Sequence, residues 1–374
     1  MKILFVGSEV TQPWSEGRKN FARDLAGELA KEASVRLLTT STQRDAIIDP
    51  FEGRTIKVAR KFQLLPALHR ALRREIPEWQ PDIVCQFPYS TFDGARGRVN
   101  VWGLARIDQI CTRLGVRCLT ILYGLTVGSR TALSQKVSEL VLSPSDRWRG
   151  STITLGTDLS RAAAAQPKRG GAPTVLFMSG VTAVDRYAER FLLERRGLAD
   201  LVEASPQLAA AGVRLLVAVP ALQSRVFAEK LRSRFTARAP ELNLEFRALV
   251  SVADIFSEAD VFVFPHRVQF EQFVPTSILE AMAAGVPVVM SDLPMLVPLA
   301  NAGRTAYLFP AGDGRFLGTL LVKILRDETG RHAHAAEARR YVRANWSIER
   351  SVSDLMDIVN RTSSRLSEAV GDAG

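Results

Sequence analysis

The sequence is short of cysteine, histidine and aromatic side chains. Its 374 residues include three cysteines and four histidines, and Phe, Trp and Tyr make up 7% of the chain. Cys85, Cys111 and Cys118 show no CxxC spacing, and Cys85 and Cys118 lie in strand-like runs, so buried thiols and a reducing cytoplasm are expected. His332 and His334 lie two positions apart on a predicted helix, so they point in different directions and are expected at the surface. The sequence therefore predicts no metal site.

Long apolar runs are also absent, and acidic residues are outnumbered. No run approaches the 18 residues of a membrane span, and residues 1–7 enter a strand pattern without a leader-like basic segment, so a cytoplasmic location is expected. With 49 Lys and Arg against 39 Asp and Glu, the formal net charge is +10. A basic excess favours anionic partners such as nucleotides or acidic membrane surfaces. Because no nucleic-acid-binding motif or aromatic–basic pattern accompanies the charge, no nucleic-acid partner is expected.

What the chain does have is β/α alternation, in two successive halves. Hydrophobic residues make up 47% of the chain, enough for large cores. Strand patterns occupy residues 2–8, 34–40, 81–87, 117–124, 140–146 and 152–158, and the alternation restarts at residue 174 after a linker-like segment, AAAAQPKRGGA, at residues 162–172. This organisation predicts an α/β protein with two Rossmann-like, doubly wound domains. We place them at residues 1–165 and 166–345, followed by a helix at 346–366 and a flexible tail at 367–374.

Residues 259–294 form the most informative stretch, which reads as strand, loop, helix, strand. Pro275 stands where a first-turn proline belongs, and Thr276 and Ser277 follow it. A helix N-terminus at the carboxyl end of a parallel strand attracts anions, and the two hydroxyls add donors. Glu280, one turn further on, is within reach of a sugar hydroxyl beside bound phosphates. The pattern thus fits a nucleoside diphosphate site, although an ordinary βαβ crossover has the same spacing.

The sequence PTSILEAMAAGVPVV in this stretch resembles the donor-site motif of GT-B glycosyltransferases of family 4, also called group 1. The resemblance implies two domains facing a central cleft, with the final helix crossing back to the N-terminal domain. It also implies transfer of a sugar, with retention, from a nucleotide-diphosphate sugar to a glycan, lipid-linked or small-molecule acceptor. No metal or other cofactor is implied.

The resemblance assigns roles to individual residues. Glu280 matches the second Glu of the family's Glu-x7-Glu pattern, whereas the first position holds Gln272, with Glu271 adjacent. Either the amide replaces the carboxylate, or a one-residue bulge brings Glu271 into place. Arg196-Gly197 matches a Lys-Gly pair that opens a helix near the phosphates. The catalytic candidates are Glu271, Gln272 and Arg196, and the donor-binding candidates are Gly17, Arg195, Arg196, Val274, Pro275, Thr276, Ser277 and Glu280.

Two alternatives stay open. Many family members have a histidine in the N-terminal half that contacts the donor sugar, and this chain has Tyr123-Gly124 at that place. Together with Gln272, this departure permits a catalytically silent GT-B protein that binds nucleotide sugar or glycan as a partner subunit. The basic amphipathic segment 62–79 is either a helix that packs on the sheet or a patch that contacts anionic membrane, which would place the protein at the inner face of the membrane.

Overall fold

The computed structural model describes residues 1–11, 17–43, 48, 52–87, 94–122, 133–141, 150–165, 170–248, 251–268 and 275–371. The chain divides into two units, one of Met1–Thr157 with Trp346–Gly374 and one of Asp158–Phe270 with Val274–Asn345. The division falls before the predicted boundary at residue 165. A short helix, Ser160–Ala163, already packs on helices of the second unit and buries Ala162 completely.

The first unit contains a six-stranded parallel sheet. Its strands in chain order are β1 (Lys2–Ser8), β2 (Ser34–Ser41), β3 (Gly53–Lys57), β4 (Ile83–Gln86), β5 (Arg117–Ile121) and β6 (Leu140–Val141). They are arranged β3-β2-β1-β4-β5-β6, the doubly wound order in which the chain starts at the centre and works towards each edge. The helices are α1 (Gly17–Leu29), α2 (Leu64–Trp79), which follows a 3-10 turn at Lys61–Gln63, and α3 (Gly94–Arg113).

Alternating side chains of β1 supply a core on each face of this sheet. Ile3 and Phe5 pack in a cluster with α1, whereas Leu4 and Val6 pack in a second cluster with α2 and α3. Successive strand residues point to opposite faces, so a fully buried central strand must be apolar on both. The continuous apolar run KILFVGS therefore encodes the central strand of a sheet covered on both sides.

The final helix, Ile348–Gly371, completes the first of these two cores, and Leu355 and Ile358 are buried in it. The Ser351 hydroxyl accepts the Gly156 N–H at 3.0 Å and donates to the Thr154 carbonyl at 2.7 Å. The strand predicted for residues 152–158 does not form a continuous ladder, because Thr152 and Thr157 make isolated bridges, the second of them to Ser347. The helix is assigned over Ile348–Gly371, whereas the sequence placed its end at about residue 366.

The second unit contains a second six-stranded parallel sheet. Its strands are β7 (Thr174–Met178), β8 (Arg214–Ala218), β9 (Asn243–Arg247), β10 (Val261–Phe264), β11 (Val288–Ser291) and β12 (Tyr307–Phe309). Their arrangement, β12-β11-β10-β7-β8-β9, follows the same doubly wound order as the first sheet. The prediction of two Rossmann-like α/β domains is therefore confirmed.

The helices of the second unit follow in chain order after α3. They are α4 (Ser160–Ala163), α5 (Arg186–Arg190), α6 (Leu198–Ala210), α7 (Arg225–Thr236), α8 (Val252–Ser257), α9 (Thr276–Ala284), α10 (Gly314–Arg326) and α11 (Glu328–Asn345); the final helix of the first unit is α12. Side-chain oxygens of Asp185, Ser224, Ser251 and Asp313 cap four of these helices. Within the described residues, no helix combines the length and apolar content needed to cross a bilayer.

Candidate functional site

The second sheet has its topological switch point between β7 and β10. These strands are hydrogen-bonded neighbours, with Val263 opposite Phe177. After β7 the chain continues towards β8, and after β10 it continues towards β11 on the opposite side. The two connections diverge at the carboxyl ends of the strands, and the crevice they leave is where doubly wound sheets bind ligands. The residues that follow β7 and β10 therefore define the candidate site.

Hydrogen bonds join the two connections at this edge. The Arg267 N–H donates to the Arg195 carbonyl at 3.1 Å. The Arg267 guanidinium pairs with Asp200 of α6, with Nε 2.8 Å from Oδ1. Burial raises the pKa of the Asp200 carboxyl, and the bonds from Arg267 oppose this rise. The segment 265–267 is thus fixed against the start of α6 through both backbone and side chain.

Gly197, in the connection after β7, lies against Pro265 in the connection after β10. Its φ is +73°, in the left-handed region, and a Cβ there would lie 1.5 Å from the Pro265 carbonyl oxygen. Glycine is required for both reasons, since any side chain would meet backbone and would also strain the left-handed conformation. Gly197 is the N-cap of α6, as the Arg196-Gly197 pair predicted.

Arg196 is held between two side chains beside this glycine. Its Nη1 lies 2.9 Å from Nε2 of His266, and its Cζ lies 5.2 Å from the centroid of the Phe191 ring. Burial lowers the pKa of the Arg196 guanidinium to about 10. The group is therefore still a cation at neutral pH, and it stands at the carboxyl edge of the sheet.

His266 is the second polar residue of this arrangement. Its ring stacks on Phe264 with centroids 3.8 Å apart, and its carbonyl accepts a 2.6 Å hydrogen bond from the Ser291 hydroxyl of β11. Burial, and then the charge of Arg196, lower the pKa of His266 well below its ordinary value. At neutral pH the imidazole is therefore uncharged.

A π-helical turn at Phe191–Arg195 precedes Arg196. The turn continues α5, whose Glu189 accepts from Lys230 at 2.5 Å and also pairs with Arg234 of α7. Tyr187, whose side chain is 70% exposed, stacks on Phe191 at 6.1 Å. Since π-helical turns occur frequently at functional sites, this one supports a role for the segment that leads to Arg196.

The α9 helix begins on the other side of the crevice. Pro275 is its N-cap rather than its first residue, Thr276 and Ser277 open the first turn, and both of their side chains are half-buried. The Glu280 side chain, one turn further in, is 6% exposed. Because α9 follows a parallel strand, its N-terminal N–H groups and the positive end of its dipole lie at the same edge of the sheet as Arg196.

The remaining predicted site residues are placed elsewhere or lie outside the described residues. Arg195 ends the π-helical turn with an exposed side chain. Gly17 begins α1 in the first unit. The candidates Glu271, Gln272 and Val274, together with Tyr123-Gly124, are outside the described residues.

Sequence reasoning missed His266, Arg267 and Asp200. A signal for the first two was available, because polar residues directly after a buried strand and its terminal proline lie at the ligand-binding edge of a parallel sheet. Asp200 carried a weaker signal, since an acidic residue in the first turn of a helix is ordinary. Its complete burial depends on Arg267, which is distant in sequence.

Of the two histidines expected at the surface, His332 is exposed and His334 is half-buried. The His334 ring stacks on Tyr307 at 4.1 Å and its Nε2 lies 3.0 Å from the Gly303 carbonyl oxygen. Across the residues that the structure describes, no three His, Cys, Asp or Glu side chains form a group that could hold a metal ion.

Comparison with known proteins agrees with this geometry. Residues 182–327 match the family described as "Glycosyl transferases group 1", a range that includes Arg196, Gly197, His266 and Glu280. The matched range extends from the segment after β7 to the end of α10. The family similarity therefore covers the unit that contains the candidate site.

Two curated relatives align with parts of this chain. The chain is 26% identical over 271 residues to a putative colanic acid biosynthesis glycosyltransferase, WcaL, of Salmonella typhimurium, an alignment that covers 64% of each protein. It is 33% identical over 183 residues to a phosphatidyl-myo-inositol mannosyltransferase of Mycobacterium leprae, covering 47% of this chain and 43% of the relative. In both cases the match spans less than two thirds of the relative's length.

Among solved structures, the chain resembles Anabaena HepE in complex with UDP. The TM-score is 0.68, and the alignment covers 97% of this chain and 100% of the other at 14% sequence identity. At that identity the likeness is one of fold, and it extends over both units.

Proposed function

We propose that this chain, which has the GT-B fold and whose residues 182–327 match group 1 glycosyltransferases, moves a sugar from a nucleotide-diphosphate sugar to an acceptor hydroxyl. In this reaction the bond between the anomeric carbon and the diphosphate oxygen breaks, and the acceptor oxygen forms the new bond. The diphosphate leaves with both electrons of the broken bond, and the acceptor hydroxyl releases its proton. Stabilising the departing diphosphate is the main requirement.

The observation that carries the proposal is the Arg196 cation at the switch point of the second sheet, on the same edge as the start of α9. A guanidinium donates several N–H groups to phosphate oxygens, and a helix N-terminus adds backbone donors and a positive dipole. Arg196 would neutralise the leaving diphosphate, while Thr276 and Ser277 donate to it. Arg195 is a second candidate cation on the neighbouring position.

The ribose and the sugar are assigned to the α9 side. Glu280 would accept from the ribose hydroxyls, because a carboxylate one turn into α9 lies beyond the phosphates. The transferred sugar would meet Gln272 or Glu271. A carboxylate there stabilises positive charge that develops on the sugar ring in the transition state, whereas an amide does so less.

Replacing Arg196 tests the diphosphate site. Arg196→Ala should weaken binding of UDP, GDP or ADP by roughly 1.5–3 kcal/mol, the range for hydrogen bonds to charged groups. Arg225→Ala is the matched control, because Arg225 is also an arginine at a helix start in the second unit, and its side chain is exposed. If calorimetry shows that both variants bind these nucleotides as tightly as the parent does, the proposed diphosphate site is contradicted. Glu280→Ala should weaken nucleotide binding independently.

The acceptor is proposed to be a glycan or a lipid-linked saccharide, with the anomeric configuration retained. The support is that two relatives are named for colanic acid biosynthesis and as a phosphatidyl-myo-inositol mannosyltransferase. The test is turnover of UDP- and GDP-sugars with such acceptors, followed by proton NMR of the product's anomeric centre. If nucleotide diphosphates bind with no transfer or hydrolysis across that panel, the catalytically silent alternative is favoured.

We also propose a peripheral contact between the first unit and anionic lipid. A groove of about 660 Å³ lies between β3 and α2, lined by Lys57, Phe62, Arg70 and Arg74 among others. The Phe62 side chain is 70% exposed, and within the described residues no acidic side chain pairs with these three cations. The leucine stripe of α2, including Leu68, is buried in the core, which leaves the basic face and Phe62 for the membrane.

Vesicle co-sedimentation tests this contact. Binding to vesicles with anionic lipid should fall as salt rises, because exposed charges are screened. The double variant Arg70→Glu/Arg74→Glu should abolish it. Arg225→Glu/Arg238→Glu, in the second unit, changes the net charge equally and is the control. Equal losses in both variants, or no binding at low salt, would contradict a specific lipid face.

A further inference from the structure

His266 occupies a position that the family resemblance assigned no role. Its side chain meets the guanidinium of Arg196 from the opposite connection of the switch point, with 2.9 Å between Nη1 and Nε2. We propose that His266 is a positioning residue for the diphosphate site, because its Nε2 accepts from Arg196 and orients the guanidinium towards the leaving phosphates. This inference rests on the proposed function, since it takes Arg196 as a phosphate ligand.

The bond determines the tautomer of the histidine. An arginine side chain has five N–H donors and no acceptor, so Nε2 of His266 must be the acceptor. The ring proton then resides on Nδ1, and the imidazole is neutral. In an imidazolium Nε2 would also carry a proton, so it could no longer accept from the guanidinium and the orienting bond would be lost. One of the five N–H donors of the planar Arg196 guanidinium is thus directed to His266.

The acceptor can orient Arg196 only if it is itself fixed, and contacts of His266 and of the next residue fix it. The His266 ring stacks on Phe264 at 3.8 Å, and its carbonyl accepts from the Ser291 hydroxyl at 2.6 Å. The next residue, Arg267, is bonded through its backbone to Arg195 and through its side chain to Asp200. These contacts involve β10, β11 and α6, so His266 is part of the rigid framework of the second unit.

The Phe191 ring restrains the guanidinium as well, with its centroid 5.2 Å from Cζ. The His266 acceptor and the Phe191 ring therefore both restrain Arg196 before any nucleotide arrives. A long side chain that is already oriented loses less conformational entropy on binding than a freely rotating one, which increases affinity. Loss of the histidine acceptor should therefore weaken nucleotide binding even though His266 need not touch the nucleotide.

A double-mutant cycle tests this mechanism with UDP, GDP and ADP as parallel probes. His266→Phe keeps a ring against Phe264 and removes the acceptor, and we expect affinity to fall about tenfold, as for loss of one charged hydrogen bond. His266→Gln offers an amide oxygen as acceptor and should recover part of that affinity. In the Arg196→Ala background, His266→Phe should have no further effect, because the group that it orients is gone.

His334→Gln is the matched control, because His334 also stacks on an aromatic ring in the same unit, but its Nε2 bonds the Gly303 backbone carbonyl instead of an arginine. It should alter thermal stability without changing nucleotide affinity. If His266→Phe weakens binding equally with and without Arg196, the positioning role is overturned. If Arg196→Ala weakens binding and His266→Phe does not, the inference falls while the proposed function stands. If Arg196→Ala leaves nucleotide affinity unchanged, the assignment of the diphosphate site itself is wrong.

Discussion

Replacing Gly197 with alanine separates backbone strain from steric contact at the switch point. The φ of +73° alone costs an alanine roughly 1–2 kcal/mol, because L-residues with a Cβ disfavour the left-handed region. The Cβ would also lie 1.5 Å from the Pro265 carbonyl oxygen, so the backbone there must move. That movement would disrupt the Arg267–Arg195 backbone bond and the Arg196–His266 bond, worth about 1 and about 2 kcal/mol. The expected loss of stability is therefore about 4–5 kcal/mol for Gly197→Ala.

Gly212 and Gly27 provide matched controls. Gly212 has a φ of +66° and no heavy atom within 4 Å of the position of its Cβ, so Gly212→Ala should show only the backbone cost of roughly 1–2 kcal/mol. Gly27 lies inside α1 with open space and no left-handed φ, so Gly27→Ala should stabilise by about 1 kcal/mol. Urea unfolding of the three variants, with UDP titration of each, measures the series. If Gly197→Ala and Gly212→Ala lose equal stability, the packing of Gly197 on Pro265 does not matter and the reasoning is refuted.

Other predictions address the donor contact, pH, the final helix and the cysteines. If Gln272 occupies the sugar position, Gln272→Glu should preserve or raise turnover, whereas if the loop bulges, Glu271→Gln should cut turnover and spare diphosphate affinity; both rates are measured by donor consumption. The lowered pKa of His266 means that unfolding takes up a proton below the ordinary value of 6.5, so stability should be full above pH 6.5 and fall as the pH drops; urea midpoints that do not change with pH would contradict this. Leu355→Ala, at a fully buried position in α12, should cost about 2–5 kcal/mol by denaturant unfolding. Burial raises the pKa of Cys85 to about 12, so mass spectrometry should find Cys85 unalkylated by iodoacetamide at pH 8 until urea is added.

The sequence predicted those elements whose pattern is local. Continuous apolar runs predicted both central strands, and the start of α6 at Arg196-Gly197 was correct because its glycine is a local signal. Strand β3 was missed, since its GRTIK sequence is polar and lies at the edge of the sheet. Helix α3 was missed because it contains several glycines, which lower helix propensity. One of them, Gly103, has a structural reason, because a Cβ there would lie 2.8 Å from the side chain of Leu65 on α2.

The sequence predicted the part of the candidate site at the start of α9, but not the pairing of Arg196 with His266. The motif from Pro275 to Glu280 is contiguous, and it predicted a helix start that the structure contains, with Pro275 as the N-cap. The partnership of Arg196 with His266 joins residues 70 positions apart, and no periodicity encodes it. It arises from the order of strands β7 and β10, which a single sequence suggests only through the general topology of doubly wound sheets.

The placement of α12 in the first unit affects the order in which the protein is synthesised and folds. The second unit is nearly continuous in sequence, from Asp158 to Asn345, whereas the first takes Trp346–Gly374 from beyond it. Ile358 of that helix is buried in the same cluster as Phe5 and Phe21. Domains usually fold from the N-terminus during translation. Here part of the apolar core of the first unit stays uncovered until the ribosome has made the entire second unit. The unit whose synthesis begins first is therefore the last to be completed.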